Sequence, residues 1–185
     1  KISTDSHGNL INMSRNATVC ILDDNEKEKA KHRLPFGSKL NLKDDSKVKI
    51  GDILAEWDPF TLPIIAQIDG YVVFKDLEEG VTTREIIDES TGLSSNIVMD
   101  WKQQAKNQNL VPRLELHDKK NKGDILVLEN GSSASYELTA DSIIGVNNEI
   151  KVKEGDVIAR VPKESSKTKD ITGGLPRVAE LFEAR

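Results

Sequence analysis

The amino-acid sequence predicts an all-β protein in which two related modules follow one another and a short helical segment closes the chain. Three observations support this prediction: an internal repeat, many short apolar runs separated by turn-forming residues, and a change of composition after Pro162. Short strands with Gly, Asn and Asp between them are typical of β-sandwiches and β-barrels. The 185 residues are enough for two small domains.

The internal repeat is the most informative of these features. The segment Lys47–Ala55 returns as Lys151–Ala159, with six of nine positions identical and a spacing of 104 residues (151 − 47). Chance similarity of this length is improbable, so two related modules are expected. Upstream residues recur at the same spacing, Leu34 and Ser38 as Leu138 and Ser142.

Each copy of the repeat contains a Gly-Asp pair, Gly51-Asp52 in the first and Gly155-Asp156 in the second. Glycine accepts a positive φ that strains other residues, and aspartate can bond to its neighbouring backbone, so both pairs predict tight turns. Buried strands are expected directly after them, at Ile53–Ala55 and Val157–Ala159.

Other short apolar runs predict further strands. Cys20 lies in the first of them and is predicted to be a small core residue. As the single cysteine, it cannot form an intramolecular disulfide. The charged run Glu26–Lys31 predicts a solvated hairpin tip or loop, and Lys102–Gln108 predicts a polar loop or a turn or two of helix. The predicted strands are Thr18–Leu22, Ile64–Ile68, Tyr71–Phe74, Asn96–Met99, Arg113–Leu116 and Ile125–Leu128.

Composition excludes several classes of protein. The formal net charge is −5, which argues against a domain whose whole surface grips phosphates. No apolar run approaches the length of a membrane span, so a cytosolic setting is expected.

The sequence also indicates no catalytic residue and no metal ligand. Its histidines, His7, His32 and His117, are far apart and have no cysteine nearby. It contains neither a Gly-rich phosphate loop followed by Lys-Ser/Thr nor an Asp-rich triad that would hold magnesium.

The run Gly51–Val72 resembles the central hairpin of the biotinyl and lipoyl carrier domains. Those domains share a Gly-Asp turn, a short strand, an exposed tip and a returning strand that contains Asp-Gly before Val. A carrier needs a lysine at the tip because an amine must receive the cofactor, and the tip here, Asp58–Pro63, has none. The resemblance implies a barrel-sandwich fold without a swinging arm, and no cofactor is expected in this chain.

The most specific motif is C-terminal. The run Thr168–Arg185 reads TKDITGGLPRVAELFEAR and closely resembles the second arm of the trigger loop of the bacterial RNA polymerase beta-prime subunit. By this resemblance the hinge of the arm comprises Ile171, Thr172, Gly173 and Gly174. Its helix contains Leu175, Pro176, Arg177, Val178, Leu181 and Phe182, where proline is tolerated in the first turn and the last three residues share one face.

Earlier segments are similar to the large insertion that interrupts this loop in many bacteria. They are Trp57-Asp58-Pro59, Thr91–Ser95 and Ile158–Pro162. In that family the insertion consists of two tandem sandwich-barrel hybrid modules, which agrees with the repeat. The resemblance covers essentially the whole chain, which is interpreted as a fragment of a longer polypeptide. We expect modules at residues 1–63 and 64–164, with linker and arm at 165–185; the first boundary stays open because such modules can exchange strands.

The resemblance implies a non-catalytic part of an enzyme that polymerises ribonucleotides on a DNA template with magnesium, which is bound elsewhere in the subunit. The implied partners are the beta, alpha, omega and sigma subunits and transcription regulators. The parent enzyme binds DNA and RNA. By the resemblance it is not associated with a membrane and works in the cytoplasm, at the nucleoid. The chain alone is expected to be inactive, because the residues that touch the triphosphate belong to the first arm. The alternative is a β-barrel interaction module of another cytosolic protein, with Gly173–Pro176 in a linker before a docking helix.

Overall fold

A computed structural model describes residues 1–87, 89, 92–101, 109–121 and 123–163. All helical or strand structure in this part of the chain is β, which confirms the all-β class. No helix long and apolar enough to cross a membrane occurs among these residues. The predicted C-terminal helix and the segment Lys102–Gln108 lie outside them.

The first half of the chain forms a small antiparallel sheet and a separate hairpin. Sheet A has the strand order β1-β2-β5-β6, and sheet B is the hairpin β3-β4. The strands are β1 (Ile2–Thr4), β2 (Leu10–Asn12), β3 (Ala17–Leu22), β4 (Glu28–Leu34), β5 (Lys39–Leu40) and β6 (Ala55–Glu56).

The second half forms two larger antiparallel sheets. Sheet C has the order β7-β15-β13-β10-β9, and sheet D has the order β12-β11-β8-β14. The strands are β7 (Thr61–Ile65), β8 (Gly70–Lys75), β9 (Thr83–Ile87), β10 (Ser94–Val98), β11 (Arg113–His117), β12 (Ser135–Glu137), β13 (Ile143–Ile144), β14 (Lys151–Val152) and β15 (Val157–Pro162).

The hydrophobic core belongs to the second half. Most of its fully buried members lie on strands of sheet C and sheet D, among them Val72, Leu114, Leu116 and Ile158. The sequence has few aromatic residues, so aliphatic side chains build this core, with Trp101 at its margin. The first half has a smaller hydrophobic core. Among its described residues, the buried hydrophobic side chains are Ile11 and Leu34.

The sequence repeat is also a repeat of strand pairing. The strands of sheet A have equivalents in the same order in sheet C, and sheet C contains β7 in addition. The equivalent pairs are β1 and β9, β2 and β10, β5 and β13, and β6 and β15. The amide of Asn41 donates to the carbonyl of Leu54 at 3.0 Å, and 104 residues later Gly145 donates to Ile158 at 3.0 Å. The cross-strand partners Lys39–Glu56 and Leu40–Ala55 recur as Ile143–Arg160 and Ile144–Ala159.

Three local predictions were wrong. The predicted strand Ile53–Ala55 begins only at Ala55, and Ile53 is exposed, because β6 is the edge of sheet A. Ile125–Leu128 forms isolated bridges instead of a strand, since its backbone bonds divide between β11 and the segment before β12. Cys20 is exposed, because the alternation of β3 turns Val19 and Ile21 inward and Cys20 outward.

The connection between the halves also differs from the expected carrier-like hairpin. Within Gly51–Val72, β6 joins sheet A while β7 joins sheet C, so the two strands are not partners. The tip Asp58–Pro63 is therefore a crossing from one sheet to the other. The boundary expected at Pro63 falls inside β7, whose residues Thr61–Ile65 pair with β15.

Candidate functional site

The two Gly-Asp turns have matching geometry. Gly51 has a φ of 95° and Gly155 a φ of 98°, in the region that favours glycine. In each turn the aspartate Oδ2 accepts a hydrogen bond from the amide three residues upstream, at 2.8 Å for Asp52 and 2.9 Å for Asp156. The repeat therefore preserves a turn that its own carboxylate closes.

The second turn has an additional role, because Asp156 also holds the N-terminal part of the chain. Its Oδ1 accepts hydrogen bonds from the Ser6 amide and the Ser6 hydroxyl, both at 2.8 Å. Partial burial alone would raise the pKa of Asp156, but the hydrogen bonds from Lys153 and Ser6 outweigh burial and lower the pKa below its ordinary 3.8. The ionised carboxylate therefore clamps the two halves together.

This clamp predicts a dependence of stability on acid. A carboxylate with a lowered pKa stabilises the fold above its ordinary pKa and loses that contribution as pH falls through the folded value. We expect Asp156→Asn to lower the free energy of unfolding at pH 7 by about 1.5–3 kcal/mol, the range for a hydrogen bond to a charged group. The measurement is urea denaturation from pH 7 to pH 3.

The matched control is Asp52→Asn, because Asp52 closes the equivalent turn without a Ser6 contact among the hydrogen bonds described. The loss caused by Asp156→Asn should exceed the control loss at pH 7 and shrink below about pH 4. A difference between the two variants that stays constant down to pH 3 would contradict the clamp.

The tip between the halves anchors the end of the described chain. Asp58 caps it: its Oδ1 accepts from the Phe60 amide at 2.8 Å and its Oδ2 from the Thr61 hydroxyl. The hydrogen bond from Thr61, followed by that from Phe60, lowers the pKa of Asp58. The carbonyl of Phe60 then accepts from the Lys163 amide at 3.0 Å, so the residue that precedes the C-terminal segment is held to the tip.

Three large apolar side chains in this tip or directly before it are exposed. Trp57 is 51% exposed, Phe60 67% and Leu62 54%, and we call them the tip patch. Beside the tip, a cleft of about 760 Å³ opens between the halves, and its walls also carry Lys39, Glu56 and other charged residues. Apolar and charged side chains at one opening suit contact with a protein surface.

The histidines do not form a site. His7 and His32 are exposed on a turn and on β4, whereas His117 is largely buried on β11. Its Nδ1 lies 2.7 Å from the Gly123 carbonyl and its Nε2 2.9 Å from Glu115, so both ring nitrogens are engaged. Among the described residues, no group of three or more His, Cys, Asp or Glu side chains is arranged to hold a metal ion.

Glu115 joins this network from the other side. Burial alone would raise the pKa of Glu115, but hydrogen bonds from His117 and Arg113 lower it. The Arg113 Nε to Glu115 Oε1 distance is 2.8 Å, and Arg113 also lies 3.6 Å from Asp76. The network ties sheet D to its loops, which is a structural use of these charges.

The residues predicted from the C-terminal motif lie outside the described part of the chain, both the hinge Ile171–Gly174 and the helix residues from Leu175 to Phe182. Sequence reasoning missed Ser6 and the tip patch. The contact of Ser6 with Asp156 joins residues 150 positions apart, and no local pattern signals such a contact. The tip patch had a signal, since Trp57, Phe60 and Leu62 are flanked by polar residues and prolines in a segment rich in turn formers.

The described residues thus form a clamp, an anchored tip and an open apolar patch. Each of these features positions chain segments or offers a surface for contact, and none presents an activated nucleophile or an acid–base pair aimed at a cavity. No protein-family model matches the sequence.

Proposed function

We propose that this chain is the trigger-loop insertion of a bacterial RNA polymerase beta-prime subunit, two sandwich-barrel hybrid modules joined to the second arm of the loop. The observation that carries the proposal is the run Thr168–Arg185, which resembles that arm almost continuously over 18 residues. The repeat of strand order between sheet A and sheet C supports the two-module interpretation. Magnesium and the catalytic residues belong to other parts of the enzyme.

The attachment of the arm supports a coupling role. The arm continues from β15, which lies inside sheet C between β7 and β13 and pairs with β7 from Val157 to Pro162. A force on the arm therefore acts on an internal strand. Seven polar residues, Lys163–Lys169, join the arm to β15, and we propose that they transmit movement of the arm to the modules only in part.

The modules then influence nucleotide addition through the loop. A contact that favours one position of the modules favours the matching state of the trigger loop, by the difference in its affinity for the two states. The tip patch lies beside Lys163 and is the surface best placed for such a contact with other subunits or with regulators. The proposed role is modulation of elongation and pausing in DNA-templated RNA synthesis, in the bacterial cytoplasm.

The test is deletion of residues 1–164 from the complete polymerase, with the loop arms rejoined. We expect RNA synthesis to persist, because no catalytic residue is removed, while elongation rate and pause lifetimes change. The measurement is a single-round transcription assay on a template with defined pauses. Bulky substitutions at Gly173 or Gly174 should change the elongation rate too, since these glycines give the hinge its backbone freedom.

The matched control keeps the modules and replaces Trp57, Phe60 and Leu62 together by serine. If the tip patch carries the coupling, this variant shifts pausing in the same direction as the deletion. A deletion enzyme equal to the intact one in rate, pausing and transcript cleavage would refute the coupling role. Crosslinking mass spectrometry in cells separates the assignment from the alternative interaction module, because only the polymerase fragment crosslinks to the beta, alpha, omega or sigma subunits.

A further inference from the structure

The second half contains a strand inside sheet D, β8, for which the first half has no counterpart. The hairpin β3-β4 corresponds to β11-β12: Val19 pairs with His32 as Leu114 pairs with Tyr136. In sheet D, however, β11 has a second neighbour, β8, on its other side. The equivalent edge of β3 pairs with no described strand.

A second observation marks the same place. β14 consists of Lys151-Val152 and forms a strand by pairing with Tyr71 and Gly70 of β8. Its repeat counterpart, Lys47-Val48, has the same two residues but is not in a strand. In sheet D, β8 lies between β11 and β14. The first half contains the counterparts of both neighbours, β3 and Lys47-Val48, but no counterpart of β8 itself.

Burial shows the consequence. Leu114 and Leu116 of β11 are fully buried beneath the completed sheet D. Their counterparts in β3, Val19 and Ile21, face the same way but are only partly buried. The first half lacks the strand that helps to cover their counterparts, so these apolar side chains are covered only in part.

The backbone of β3 is also oriented to accept a partner. In β11 the amide of Leu116 donates to Ala134 on the β12 side, so the alternate residues Arg113, Glu115 and His117 turn their backbone groups toward β8. By the same register, β3 turns three backbone positions toward its open edge: Thr18, Cys20 and Leu22.

We propose that the gap between β3 and Lys47-Val48 is an acceptor slot for one β-strand. The strand runs antiparallel to β3. It is supplied by the polypeptide that precedes β1, because β8 precedes β9, and β9 is the equivalent of β1 in the second half. Its chemistry follows from β8, where Val72 lies opposite Leu116 and Phe74 opposite Leu114. The occupant therefore carries apolar side chains opposite Ile21 and Val19 and polar ones at the positions between.

The first experiment supplies the strand in the same chain. A copy of Ile68–Thr82 is joined directly to Ile2 of the full chain, which reproduces the connection from β8 to β9. Hydrogen–deuterium exchange of the Thr18, Cys20 and Leu22 amides should then slow by at least about tenfold. In the control, the added copy carries Val72→Asp and Phe74→Asp, and these amides should exchange as in the unmodified chain.

The second experiment uses Cys20, the single cysteine of the sequence, to test the register. Cys20 occupies the place of Glu115, which lies opposite Val73. A synthetic peptide Ile68–Leu77 with Val73→Cys should form a disulfide with Cys20, because such opposed residues lie about 5.5 Å apart between Cα atoms. The yield in a thiol-exchange buffer should exceed that of a peptide with Phe74→Cys by at least about fivefold, since position 74 faces the other side.

The proposal of an acceptor slot would be overturned by equal disulfide yields from the two peptides. It would also be overturned if the amides of Thr18, Cys20 and Leu22 exchanged no more slowly with the added strand than with its aspartate control. Protection already present in the unmodified chain and lost on dilution would show that a second copy fills this edge, and would overturn the upstream strand as its occupant. Neither experiment depends on the polymerase assignment.

Discussion

Replacing Leu116 with alanine is expected to lower the free energy of unfolding by about 2–5 kcal/mol, the cost of a cavity at a fully buried site. Leu116 lies in β11, inside sheet D, and its side chain is 0% exposed. The measurement is urea denaturation followed by the fluorescence of Trp101, which packs in the same core. A Trp57→Phe background removes the signal of the exposed tryptophan.

The repeat offers a matched control in Ile21→Ala. Ile21 holds the equivalent position in β3 but is only half-buried, so we expect a loss below about 1.5 kcal/mol. Circular dichroism follows both halves in the same titration. Equal losses for the two variants would show that the first half has a core as complete as the second, against the burial described above.

Gly155→Val is expected to destabilise the protein by about 1–3 kcal/mol through backbone strain, and by more through crowding. Its φ of 98° is unfavourable for any side chain. An added Cβ would lie 3.4 Å from the Asp5 amide nitrogen, an ordinary van der Waals contact, so the crowding comes from the two γ-carbons of valine beyond it. The displacement of Asp5 should also weaken the neighbouring contact between Ser6 and Asp156. Thermal and urea denaturation measure the first effect, and amide exchange at Ser6 measures the second.

Gly51→Val is the control for strain without crowding. Gly51 has a φ of 95°, but nothing lies within 4 Å of an added Cβ. We therefore expect a smaller loss than for Gly155→Val and unchanged exchange at Ser6. If both variants lost the same stability, contact with the N-terminal segment would play no part at the second turn.

Much of the fold was predictable because its signals are local. A Gly-Asp pair has the same effect on the backbone wherever it occurs, so both turns followed from the repeat. The predicted strands at Thr18–Leu22, Tyr71–Phe74 and Arg113–Leu116 appear in the structure within one residue at each end, since β-branched and aliphatic clusters favour half-buried strands.

The candidate site was less predictable. The clamp joins Ser6 to Asp156, and the anchor joins Phe60 to Lys163. Both contacts connect segments distant in sequence, and neither needs a residue type that stands out from its neighbours. The exposure of Cys20 was likewise a tertiary effect, because its apolar neighbours predict burial and the choice of face depends on what covers the hairpin.

The sequence by itself determined the all-β class, the two related halves and the positions of the Gly-Asp turns, because these depend on local patterns and on their recurrence. Only the tertiary structure decided which segments pair. The segments Lys47-Val48 and Lys151-Val152 are identical, yet only the second is a strand, because only there does β8 supply the partner. A strand satisfies its backbone groups through another segment, so local sequence alone could not settle that difference.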